Sequence, residues 1–219
     1  MDLFQKKELL KPIKMKKIYI LTTTFVFSLI AFGQDKINFE YQVGYFFDQQ
    51  IDGSVNEWSG DMVSPSGYDD NEMASRLSVN YFMCDKINLD FIYTNGSSNG
   101  RNNIEQYVTD FTELGVIVNY EVYSKSNFDI FANVGVSRMD FYSERTLVSG
   151  SEIPHSIVED NSDVLSYGAK VKYTPNSKMY FTFSYSMFSV KNDGFDGWDD
   201  GKESDELIYR GVGIGFNIK

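Results

Sequence analysis

The sequence predicts an all-β fold: an eight-stranded antiparallel up-and-down transmembrane β-barrel, preceded by a helical signal peptide. Three observations predict it. Apolar residues recur at every second position in eight separate segments of about 9–11 residues, the length a tilted strand needs to cross a bilayer. The connections between the segments alternate long and short. The acidic excess, 31 Asp and Glu against 20 Lys and Arg, gathers in the long ones.

The 219 residues suit one domain. A mean hydropathy of −0.31 excludes a bundle of membrane helices. A net charge of −11 argues against a nucleic-acid partner, because phosphate binding needs a basic surface. A single Cys, Cys84, excludes an internal disulfide and a Cys-cluster zinc site, and a single His, His155, excludes a multi-histidine metal site. No cofactor is expected.

The leader comes first. Lys16 and Lys17 precede an apolar run from Ile18 to Phe32, and the small residues Ala31 and Gly33 stand at −3 and −1 to a cut before Gln34. That is the pattern of a secretory signal peptide, with Gly33 and Gln34 flanking the cleavage. Met15 is a better start than Met1, so residues 1–14 read as an extension. No Cys follows the apolar run, so no lipid anchor is expected there. Residues 1–33 hold six Lys and two acids, which leaves a barrel domain of residues 34–219 more acidic than the whole chain.

The segments follow in order. Ile37, Phe39, Tyr41, Val43, Tyr45 and Phe47 alternate with Asn38, Glu40, Gln42 and Gly44. Leu77, Val79, Tyr81 and Met83 stand opposite Arg76, Ser78 and Asn80; Ile87, Leu89, Phe91 and Tyr93 stand opposite Asn88, Asp90 and Thr94. The fourth sets Leu114 to Val122 against Glu113, Gly115, Asn119 and Glu121. The fifth sets Phe128 to Val136 against Asp129, Asn133, Gly135 and Ser137. The sixth sets Leu165 to Tyr173 against Ser166, Gly168, Lys170 and Lys172. The seventh sets Met179 to Met187 against Thr182, Ser184 and Ser186. The eighth sets Val212, Ile214, Phe216 and Ile218 against Arg210, Gly211, Gly213, Gly215 and Asn217.

Long connections are expected at about 48–72, 95–106, 143–163 and 191–206, and short ones at 84–86, 124–127 and 174–177. Pro65, Pro154 and Pro175 fall in connections, as residues that cannot donate to a ladder should. The first long connection carries seven acids and no base, the third five acids and one Arg, and the fourth seven acids and two Lys. The charge therefore sits at one end of the barrel.

Period two alone leaves open which face points inward. A soluble lipocalin-like binding barrel would bury its apolar face. Glycine decides for the membrane: Gly44, Gly115, Gly135, Gly168, Gly211, Gly213 and Gly215 all fall on the polar face, and the narrow interior of an eight-stranded barrel needs small residues beside large ones. Aromatics near the ends of the apolar stripes, such as Phe39, Tyr45, Tyr120, Phe128, Tyr173 and Phe216, suit interfacial girdles.

Over residues 36–219 the chain resembles the small eight-stranded outer-membrane barrels, the OmpA/OmpX-like superfamily of porin-family β-barrel domains. The resemblance rests on architecture. It implies a place in the bacterial outer membrane with both termini periplasmic, contact with outer-membrane lipid and lipopolysaccharide, and handling by the outer-membrane assembly machinery. Such barrels often end in an aromatic residue, whereas this chain ends Phe216-Asn217-Ile218-Lys219.

Four groups invite a functional reading. Arg76, Lys170, Lys172 and Arg210 share the polar face with Glu40, Asp90, Glu113, Glu121 and Asp129, and are expected to form an ion-paired network that fills the lumen, since charges away from water must pair. His155 and Ser156 adjoin in the third long connection, and a Ser–His pair is what a lipid-modifying enzyme would use. Adjacent residues of an extended segment point apart, however, and no catalytic residue is assigned. The run 193–201 looks calcium-like but fails the EF-hand spacing, with Trp198 and Leu207 at ligand positions. Trp58 and Tyr68 in the first long connection, with Phe195 and Trp198 in the fourth, are expected contact residues for an extracellular partner, since aromatic anchors dominate binding hot spots. The function expected is structural or surface-interacting.

Overall fold

The computed structural model describes residues 37–50, 72–101, 105–147, 156–191, 194–195 and 205–217. The strands are β1 (Ile37–Gln50), β2 (Glu72–Cys84), β3 (Ile87–Arg101), β4 (Glu105–Lys125), β5 (Phe128–Leu147), β6 (Ser156–Tyr173), β7 (Met179–Val190) and β8 (Asp205–Asn217). Each pairs antiparallel with its neighbour in sequence, and β1 pairs with β8, so the sheet closes on itself. The leader, with Gly33 and Gln34, lies outside the described residues, as do Trp58, Tyr68, His155 and Trp198.

The apolar stripes face outward. Val136 on β5 and Val212 on β8 are 65% and 62% exposed, and Leu77, Tyr120, Leu165 and Phe183 are exposed on the same surface. The polar positions turn inward, where Glu40, Arg76, Asp90, Glu113 and Lys170 are buried. A water-soluble barrel would have the reverse arrangement.

The strands run further than the alternating segments. Residues 95–101, 105–106, 143–147 and 156–163, expected in connections, are strand, and so are residues 107–112, which precede the fourth alternating segment. The reason is an inversion of the alternation. Below it, on β4, Leu114, Val118 and Tyr120 point out while Glu113 and Asn119 point in. Above it, Tyr107 and Phe111 are the buried residues, and Asp110 is exposed. The same exchange occurs on β5 between Val136 and Met139, and on β6 between Leu165 and Val164. A reading that follows one phase stops where the phase turns over, although the backbone ladder continues.

The short turns have local causes. Ser126 and Asn127 close a two-residue hairpin between Lys125 and Phe128, with Ser126 at φ 55°. Asp85 and Lys86 join Cys84 to Ile87, next to a bulge at Phe82/Cys84, and Cys84 is a free, exposed thiol. Asn176 Oδ1 accepts from the backbone N–H groups of Lys178 and Met179 at 2.9 and 3.1 Å, an Asx-type turn that starts β7.

Glycine on the inner face makes room for rings. A Cβ at Gly215 would collide with the Tyr180 ring, and one at Gly44 with the ring of Tyr209. Both tyrosines lie inside the barrel, 1% and 0% exposed. They fold over the bare backbone of β8 and β1, so two large side chains fit a lumen of this width.

Candidate functional site

The interior has two storeys. The lower one is ionic. Arg76 on β2 donates through Nη2 to Glu113 Oε2 on β4 at 3.2 Å and through Nε to Thr94 Oγ1 at 2.9 Å, and Ser137 donates to the other Glu113 oxygen at 2.8 Å. Lys170 on β6 reaches Asp90 at 2.5 Å and Glu40 at 3.8 Å. Asp90 also accepts from Asn80 at 2.7 Å, and Asn80 accepts from the Tyr180 hydroxyl at 2.6 Å. Glu40 accepts from Thr182 at 3.0 Å and from Gln42. Both storeys meet at Arg76, whose guanidinium lies 4.3 Å from the centre of the Tyr209 ring and 5.5 Å from that of Phe188.

The upper storey is apolar. Ala74, Phe111, Met139, Phe141, Phe188 and Leu207 are among the buried residues that pack under the mouth. Phe195, from the connection between β7 and β8, belongs to this cluster. Its ring centre lies 5.7 Å from that of Phe111 and 5.6 Å from that of Phe141, and its carbonyl accepts from Thr109 Oγ1 at 2.5 Å. Thr109 is in turn 2.7 Å from Ser143 Oγ.

The expected network residues divide accordingly. The structure brings Glu40, Arg76, Asp90, Glu113 and Lys170 together in the lower storey. Lys172 and Asp129 face each other in register at the short-turn end, half-buried, with Lys172 Nζ 4.3 Å from the Tyr180 ring centre and Asp129 accepting from Ser124 at 2.7 Å. Arg210 is different. It is exposed on the outer wall, with its guanidinium 5.8 Å from the centre of the Tyr185 ring. The expectation of a lumenal Arg210 is corrected by parity: Arg210 alternates with Gly211, Gly213 and Gly215, and shares the outward stripe of Val212, Ile214 and Phe216.

One of the expected aromatic loop contacts, Phe195, also needs a correction. Phe195 is 1% exposed and sealed among other rings, so it offers no free surface to a partner. Aromatic content alone could not separate an exposed anchor from one folded back over the barrel. Ser156 is the first residue of β6 and not a loop residue. The residues that sequence reasoning missed are the hydrogen-bonding neutrals. Thr94, Asn80, Gln42 and Thr182 saturate the buried charges, and their alternation with apolar residues was the available signal.

Above the apolar belt the outer wall turns polar. Arg138 and Asp163 pair at 2.8 Å with both side chains largely exposed, and Arg138 also bonds Asn161. Two residues further along β5 from Asp140, Tyr142 donates to Glu144 at 2.6 Å. The hydrogen bond to that carboxylate, then partial burial and the nearby charges of Glu144 and Glu159, push the Tyr142 phenol above the usual tyrosine range.

Ions inside, apolar residues outside and a closed ladder define a class of protein, the membrane-spanning β-barrels. No protein-family model and no curated protein matches the chain. Among solved structures it is similar to the N-terminal β-barrel domain of Pseudomonas aeruginosa OprF, at 12% identity over 84% of this chain and 98% of that one, with a TM-score of 0.47. It is similar to Neisserial surface protein A, at 10% identity over 84% and 97% of the two chains, with a TM-score of 0.48. It is also similar to the outer membrane enzyme PagL, at 12% identity over 83% and 99%, with a TM-score of 0.40.

Proposed function

We propose that this chain is a bacterial outer-membrane barrel with a closed lumen, that its role is structural or surface-interacting, and that it does no chemistry. The observation that carries this reading is the reversed polarity of the wall: valines and aromatics exposed outside, and the Arg76–Glu113 and Lys170–Asp90 pairs buried within. Such a surface suits hydrocarbon around it, and buried ion pairs and rings crowd the narrow interior of an eight-stranded barrel. The long connections face the outside of the cell, both termini face the periplasm, and any partner binds at the acidic end. Outer-membrane lipid and lipopolysaccharide surround the belt, and the assembly machinery inserts it.

Expression with the leader intact tests the reading. The protein should float with outer membranes, with a mass matching residues 34–219, and should give no stable conductance in planar bilayers. Recovery in a detergent-free periplasmic extract would overturn the location, and a steady open channel would overturn the closed lumen. Lipid deacylation tests the last clause: activity lost on both His155→Ala and Ser156→Ala would make the protein an enzyme.

A further inference from the structure

The topology gathers the three short turns at one end of the barrel, and each carries one lysine. Lys86 stands between β2 and β3, Lys125 at the foot of β4, and Lys178 just before β7. All three are exposed, and none pairs with a carboxylate among the described residues. Of the acids at this end, Glu121 and Asp129 are half-buried on the inner face, where Asp129 opposes Lys172. Asp85 is exposed beside Lys86. The outer rim is therefore basic here, while the acid excess lies in the long connections at the other end.

The height of this rim matches a lipid headgroup. Phe128 and Tyr173 pair across β5 and β6 with ring centres 4.7 Å apart, and Tyr123, Phe128 and Phe216 are exposed on the same lower wall. From Arg138, where the wall above turns polar, β5 descends about 25 Å to Phe128, at ~3.3 Å per residue and a tilt of ~40°. That is the height of the apolar belt of such a barrel. Phe128 therefore stands at the lower interface, where aromatic rings settle, and Lys125 is its ladder partner. The other two lysines have fixed backbones: the Lys86 carbonyl accepts from Glu121 N at 2.8 Å, and that of Lys178 from Asn217 N at 2.9 Å.

We propose that Lys86, Lys125 and Lys178 bind the headgroups of anionic glycerophospholipids in the leaflet at the short-turn end. Each ammonium is a compact charge on a flexible stem, suited to a phosphodiester that exchanges with its neighbours. A zwitterionic lipid offers the same phosphate but brings its own cation, so net charge decides. The acyl chains lie against Tyr123, Phe128 and Phe216. The inference rests on the membrane placement proposed above, and adds to it the lipid class that surrounds the foot of the barrel.

The full barrel in phosphatidylcholine vesicles, doped with chain-nitroxide phosphatidylglycerol or chain-nitroxide phosphatidylcholine, tests the site. The heat-dependent shift in gel mobility reports separately that the barrel is folded. At low ionic strength the motionally restricted signal of folded wild type should favour phosphatidylglycerol about fivefold. The triple variant Lys86→Gln/Lys125→Gln/Lys178→Gln, or about 1 M salt, should erase that preference. Cys84, the single thiol of the chain and exposed in the first short turn, places a fluorophore beside Lys86. Nitroxide phosphatidylglycerol should quench it better than nitroxide phosphatidylcholine, and Lys86→Gln should remove the difference. No preference in folded wild type overturns the site, as does a preference that survives in the triple variant. Competition by millimolar glycerol phosphate as strong as that by the lipid overturns it too, since it would mark a soluble-anion site. A wild-type chain that never folds in vesicles or detergent speaks against the barrel reading itself, and is told apart by the gel shift.

Discussion

Arg76 and Glu113 each depend on the other, since either charge alone would be stranded among buried side chains. Replacing one, as in Glu113→Gln or Arg76→Met, should cost ~3–5 kcal/mol, while replacing both should cost much less. Urea midpoints in detergent for the two singles and the double give the coupling directly, and additive losses would show that the pair acts as two independent residues. Tyr142, which lies above the belt, offers a pH handle. Its phenol is pushed up in the folded barrel, whereas the unfolded chain ionises at about pH 10. The stability this confers is therefore whole below that pH and is lost as pH rises through the folded value. Ultraviolet titration should show that Glu144→Gln brings the Tyr142 transition down, with Tyr142→Phe identifying which transition is its own. An unchanged midpoint in Glu144→Gln would remove the hydrogen bond as the cause.

At the level of the strand, the turn between β4 and β5 places Ser126 at φ 55°, where an L side chain is strained and glycine is at ease. Ser126→Gly should therefore stabilise the barrel by about 1 kcal/mol, read as a higher urea midpoint, and a lower one would mean that the serine hydroxyl outweighs the strain. The strand count, the order and the inward face were legible because hydrocarbon outside and charge inside impose one strict alternation. The strand lengths were not. Where β4, β5 and β6 leave the belt, the solvent outside changes from lipid to water, so Phe111, Met139 and Val164 take the inner face and the sequence pattern changes phase. Arg210 was misplaced for a related reason: it adjoins a run of alternate glycines, and its own parity, not its neighbourhood, determines the direction it faces. No residue-level pattern distinguishes Phe195 from an exposed loop aromatic, because its contacts with Phe111 and Phe141 come from strands far away in sequence.

For the molecule as a whole, Phe195 changes how the long connections should be trimmed. Excising 52–68 and 196–203 in favour of short Gly-Ser links should leave a folded, inserted barrel, because ladder bonds hold the strands. Extending the second cut to remove Phe195 should lower the thermal midpoint measurably, and an equal midpoint would mean that the ring contributes no packing. Cell adhesion and serum-factor binding by the shorter trim then report whether the acidic end is the working surface. Three bare positions on the inner face of β8 bear on how the barrel comes to be sealed. Gly211, Gly213 and Gly215 carry nothing that must be threaded past other side chains, and across the joint Gly44 is equally bare. The first and last strands can therefore zip together after the other six have set, with Tyr180 and Tyr209 dropping onto the smooth joint as a final act. Filling that joint, as in Gly213→Val, should slow closure and leave an open sheet on the pathway.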